Sequence, residues 1–155
     1  MVLESLFVLA LALQVLHLLS QDWIDLFPLN DIARLKQTIS PTGRLLMIVG
    51  NSLPAIVALI FALIYIGQTK PLGVGLYWAA YFGSVIVLMY TMWYKPYIFG
   101  ATAEQRQEYA QAYGRTHQIL PPRGDNPRPN SFHVILHMLF LVNTCLALGI
   151  GFNLV

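Results

Sequence analysis

The side chains with the widest chemical range in this sequence are its four histidines, His17, His117, His133 and His137. His133 and His137 stand four apart, which puts them on one face of a helix. Such a pair can chelate a metal ion, and histidines from two helices, His17 with either of them, can serve as axial ligands to haem. The segment from Thr102 to His137 holds three of the four histidines, four of the nine prolines and four of the nine basic residues. It crowds Arg115, Arg123, Asp125, Asn126, Arg128 and Asn130 around the histidines. The planar forks of Arg115, Arg123 and Arg128 suit a carboxylate or phosphate, with His117 or His133 available for proton transfer. A small anion, a lipid headgroup and a metal or haem are the ligand chemistries this set offers.

Each has a plainer competitor. His17 and His133 can lie at a membrane interface as amphipathic side chains, and His137 can bond a carbonyl of a neighbouring helix. Arginines beside an inner leaflet pair with acidic headgroups and set topology without any ligand. Asp22 and Asp25 balance nearby arginines more readily than they supply a site. Arg123-Gly124-Asp125 spells an adhesion tripeptide, but three-residue matches arise by chance. A tight turn at Gly124 with Asp125 paired to an arginine explains it better. No serine stands in a GxSxG elbow, and no deep Asp or Glu offers a protease dyad or a proton relay. A lone Cys145 provides no disulfide, no CxxC pair and no thiolate metal site.

The elements that must position these residues are membrane spans. Of 155 residues, 57% are hydrophobic and only 10% charged, with a mean hydropathy of +0.61, too apolar for a soluble domain. A net charge of +2 with dispersed cations gives no reason to expect nucleic acid as a partner. Four runs are long enough to cross a hydrocarbon core of about 30 Å: 2–20, 45–66, 72–94 and 131–154. The first has no preceding Lys or Arg and reads as a retained span, not a cleaved signal. The expected fold is therefore an all-α integral membrane protein, a single domain over 1–155. It forms a four-transmembrane-helix bundle with a short cytoplasmic helix and a Pro-rich loop between the third and fourth spans.

Eight of the nine basic residues fall in the loops 21–44 and 95–130, and only Lys70 lies between spans two and three. The positive-inside rule then places both loops in the cytoplasm and both termini outside, in a cytoplasmic (inner) membrane. Trp23, Trp93, Tyr94 and Tyr97 fit an aromatic belt at that boundary. Within the loops, Ile32, Leu35 and Ile39 predict a short interfacial helix, and Ser40-Pro41 an N-cap and first turn. Thr102 and Gln105 form a capping-box pattern for a helix over 103–113, followed by an extended LPPRGDNPRPN.

In the second span, Pro54 frees the Gly50 carbonyl, for which Asn51 or Ser52 is a local partner. In the third, Gly75, Ala79 and Gly83 form a small-residue ridge, suited to packing within the chain or to a homo-oligomer. Threading the spans brings His17, Asn51, His133 and His137 to similar depth beneath His117. In size and span count the chain resembles the small four-helix membrane enzymes of glutathione and eicosanoid metabolism. RLLMIVGNSLPAIV lacks their Arg, Asn and Glu grouping, so the likeness concerns architecture alone.

The function expected is a membrane binding or accessory protein, in contact with lipid. Its cytoplasmic-face pocket is lined by His17, Asn51, His117, His133 and His137 with Arg115, Arg123 and Arg128. It holds a small anion, a lipid headgroup, or a metal on His17, His133 and His137, or haem. The alternatives are an enzyme using histidine as acid and base on a lipid-soluble substrate, and an oligomeric channel or carrier.

Overall fold

A computed structural model describes residues 1–154, the side chain of Asp22 excepted. The described residues are all helical or irregular, without strands. In chain order the helices are α1 (Val2–Trp23), α2 (Ile32–Thr38), α3 (Pro41–Ile64), α4 (Leu72–Met89), a π turn (Tyr90–Tyr94), α5 (Lys95–Phe99), α6 (Ala103–Tyr113) and α7 (Ser131–Gly151). Among the described residues, four helical stretches are long and apolar enough to cross a membrane: Val2–Gln21, Pro41–Ile64, Leu72–Phe99 and Ser131–Gly151.

The caps follow from residue chemistry. Ser40 caps α3 by accepting from the Gly43 N–H, with Pro41 in the first turn. Thr102 and Gln105 close a reciprocal capping box on α6. Asn130 caps α7 by accepting from the His133 N–H. The interfacial helix expected around Ile32 and Leu35 is α2, which buries both. The third span departs from expectation. It does not stop at Tyr94 but passes through the π turn into α5 and ends at Phe99. Pro96 follows the π turn inside this continuous helix, where its missing N–H leaves a carbonyl of the preceding turn without its helical donor.

The bundle is a ring with a weak seam. α1 packs on α3 and α7, and α7 on α4, whereas the consecutive α3 and α4 touch far less. The core between them is aromatic and small-residue: Phe7 meets Trp78 edge to face at 5.0 Å, and Ala55, Ala58 and Ala62 of α3 are buried. Gly75 of α4 faces Gly151 of α7 so closely that a Cβ on Gly75 would lie 2.5 Å from the Gly151 carbonyl oxygen. One end of the small-residue ridge is thus consumed inside the chain, while Gly83 is exposed with nothing near its missing Cβ.

A polar brace crosses the middle. Asn143 of α7 donates to Gln14 of α1 at 2.7 Å, and Gln14 donates to the Tyr81 hydroxyl of α4 at 3.1 Å. Gln14 and Asn143 are wholly buried, and their hydrogen bonds tie three helices together across the core.

Both ends are tied. At the terminal end, Glu4 pairs with Lys70, and the Lys70 N–H donates to Asn153, so α1, the α3–α4 connection and the end of α7 meet. At the opposite end, the His117 N–H donates to the Pro28 carbonyl at 2.7 Å, and Arg34 donates to the Gln111 carbonyl. The two long loops therefore share one end of the bundle.

Candidate functional site

The weak seam between α3 and α4 holds a cavity of about 460 Å³. Its lining residues Met47, Gly50 and Asn51 on α3, Ser84 and Leu88 on α4 and Met92 in the π turn are exposed, so it opens sideways along that gap. Its inner wall is α7, through Phe132, His133, Leu136, His137 and Phe140, and Gln21, Asn30 and Tyr113 close the loop end. The volume falls in the range of about 300–1,000 Å³ that encloses a drug-sized molecule, and the lining is mostly apolar with a few polar groups, as such sites usually are.

The polar groups are held in place by their neighbours. Asn130, fully buried, donates from Nδ2 to the Leu29 carbonyl at 3.1 Å, which orients its amide and leaves Oδ1 as the acceptor. That oxygen lies 2.7 Å from His133 Nδ1, so Nδ1 carries the ring proton and Nε2 is the nitrogen left for the cavity. Trp93 stacks on the other face of the arrangement, 4.0 Å from His133 between centroids, and Tyr113 meets the same ring edge-on at 5.2 Å. His137 Nδ1 lies 3.1 Å from the Tyr94 hydroxyl. Trp93 and Tyr94 both belong to the π turn, a local widening that often marks functional sites. Outside the spans, burial pushes the Tyr109 hydroxyl well above the ordinary tyrosine range, with Tyr113 adding to it and the Asn130 N–H and Arg128 opposing.

Of the residues singled out from sequence, the structure brings Asn51, His133 and His137 into this cavity. His17 is adjacent but turned aside: its ring stacks on Phe132 at 3.9 Å and its Nε2 lies 3.0 Å from the Phe132 carbonyl, to which it donates. Among the described residues no three His, Cys, Asp or Glu side chains are grouped to hold a metal ion, so His17, His133 and His137 do not converge as ligands.

The loop candidates serve elsewhere. His117 and Ser131 clamp one another, Nδ1 to Oγ at 2.7 Å and Oγ to the His117 carbonyl at 3.1 Å. Arg115 lies 3.9 Å from Asp31 and over the Phe27 ring. Arg123 covers Tyr97, Arg128 donates to the Leu120 carbonyl, and Asn126 donates to the Tyr97 carbonyl. The three guanidinium groups thus face three different partners.

Several expectations are corrected. Asp125 makes no ion pair among the described residues, although Gly124 does take the left-handed turn expected of it, at φ 55°. Asp25, also expected to balance an arginine, makes no ion pair among the described residues, and the side chain of Asp22 lies outside them. Ser52 does not repair the proline break, because its Oγ is buried without a partner among the described residues. The Tyr77 hydroxyl donates nearby, at 2.9 Å, to the carbonyl of Pro54 itself and not to the Gly50 carbonyl that the proline frees. Of the expected aromatic belt, Trp23 is exposed, Trp93 and Tyr94 are half-buried, and Tyr97 is buried. Sequence reasoning missed Trp93, Tyr113 and Gln21 as wall residues and Tyr94 as the partner of His137; a π turn leaves no pattern in composition or period.

Comparison with protein-family models, with curated proteins and with solved structures gives no significant match.

Proposed function

We propose that the protein is a membrane-embedded binding protein that takes a lipid-soluble molecule from the bilayer through the gap between α3 and α4. The observation that carries this reading is the sideways opening: a mostly apolar cavity of about 460 Å³ whose mouth is formed by the exposed α3 and α4 positions of apolar spans. A water-borne anion would need a route from the loop end and a cation to meet it, and Arg115, Arg123 and Arg128 are engaged outside the lining. A molecule already dissolved in the hydrocarbon needs neither. On this reading His133 and His137 hold its polar end while the chain occupies the seam. The compartment proposed remains an inner membrane, with loops 21–44 and 95–130 cytoplasmic.

The test uses Gly50, whose missing Cβ has nothing within 4 Å, so that a Gly50→Phe side chain fills the mouth without a backbone clash. In a Trp23→Phe background, a long-chain alcohol bearing bromine on its chain is titrated into bilayer-reconstituted protein. The expected result is saturable fluorescence quenching, much reduced in Gly50→Phe at unchanged thermal stability. Quenching that rises only in proportion to probe in the bilayer, equally in both proteins, would sink the reading.

A further inference from the structure

We infer that the cavity selects a neutral lipid-soluble molecule ending in a hydroxyl, which donates its hydrogen bond to Nε2 of His133. This rests on the binding reading above and names the ligand's polar end.

The argument begins at Asn130. Its amide is oriented twice, by donation to the Leu29 carbonyl and by acceptance from the His133 N–H. The oxygen so placed can only accept, and it sits 2.7 Å from His133 Nδ1. The imidazole proton is therefore drawn to Nδ1, and Nε2 presents a lone pair. No other side chain of the described residues bonds that nitrogen, and His133 is part of the cavity wall. What it requires is a donor.

The charge of the ligand follows from what the wall lacks. No Lys or Arg lines the cavity, so a carboxylate or phosphate would be buried without a counterion, at a large desolvation cost. Among the described residues no Asp or Glu lines it either. A neutral donor needs no counterion. Gln21 reinforces the point independently: it lines the same cavity, is 8% exposed, and its Oε1 has no partner among the described residues. An unsatisfied amide oxygen in a mostly apolar wall is costly when the site is empty and rewards a donor brought to it. Trp93 and Tyr113 pack on His133 from the sides and fix the plane of the ring.

The experiment compares three bromine-labelled probes of equal chain length, an alcohol, its methyl ether and the corresponding carboxylate, on the whole chain in neutral bilayers. The alcohol is expected to bind about tenfold more tightly than the ether, because the ether leaves the nitrogen unpaired, and more tightly than the carboxylate. In His133→Phe, which keeps a ring against Trp93, the preference for alcohol over ether should vanish while the ether still binds. Equal saturable binding of alcohol and ether, or tightest binding of the carboxylate, would overturn the inference and leave the lateral binding site standing. A preference that survives in His133→Phe would also overturn it. If none of the three saturates, the binding reading fails and the inference with it.

Discussion

Asn130 makes three side-chain hydrogen bonds at the loop end. It caps α7, orients the His133 ring and donates to the Leu29 carbonyl across to the first loop, all while fully buried. Loss of an N-cap costs about 0.5–2 kcal/mol, and each buried group left unpaired about 1–3 kcal/mol. Asn130→Ala is therefore expected to destabilise the protein by about 2–4 kcal/mol in denaturant unfolding from detergent micelles. Asn130→Asp retains the cap acceptor but buries a carboxylate and sets its oxygen against the Leu29 carbonyl, so it should lose at least as much. Equal stability of the alanine variant and the wild type would show that these three bonds are replaced by others. Nothing in the residue type announced this concentration. From sequence either Asn130 or Ser131 could cap the last helix, and the bond that orients the Asn130 amide comes from a loop 101 positions away.

At the scale of the element, α4 and its continuation show how packing decides what a sequence pattern leaves open. The ridge of Gly75, Ala79 and Gly83 suits any close helix neighbour, and chemistry does not choose one. The fold assigns Gly75 to the Gly151 backbone of α7, and leaves Gly83 open. Gly75→Ala should accordingly cost about 1–3 kcal/mol, because the added carbon must push two backbones apart. Gly83→Ala should stay within about 0.5 kcal/mol by the same unfolding measurement, as an open surface position does. A Gly83→Ala variant as damaged as Gly75→Ala would mean that Gly83 has a close neighbour, as a second copy of the chain would supply. The π turn is the other lesson of this element. By inserting a wider turn at Tyr90–Tyr94 it places Trp93 and Tyr94 against His133 and His137, where a regular helix beginning at Leu72 would have carried the same residues round to another face.

For the whole molecule, the question is how four helices stand to one another. Contacts of Glu4 with Lys70 and of Lys70 with Asn153 gather one end, and those of His117 with Pro28 and of Arg34 with Gln111 gather the other. In a Cys145→Ser background, Gln37→Cys and Asp125→Cys should therefore react with an impermeant maleimide from one side of the membrane, and Thr69→Cys from the opposite side. Labelling of positions 37 and 125 from opposite sides would contradict both the fold and the proposed topology. The seam between α3 and α4 also belongs to this scale. Their connection is short, yet the pair packs least, because α1 stands against α3 and α7 against α4 and draws the two apart.

Much of the architecture was legible along the chain because its causes are local. Apolar length sets the spans, Ser40, Thr102 and Asn130 start helices by chemistry confined to one turn, and prolines keep 119–129 out of regular structure. The meeting of His17 with the start of α7 follows from threading alone. What tertiary structure alone decided was the partner of each polar group. The arginines, the small-residue ridge and the histidines each had several acceptable neighbours, and side chains far apart in sequence, such as Gln14 with Asn143 or Trp93 with His133, compete for them only once the helices are packed. A cavity is likewise a property of the space between elements, so no stretch of residues encodes it by itself.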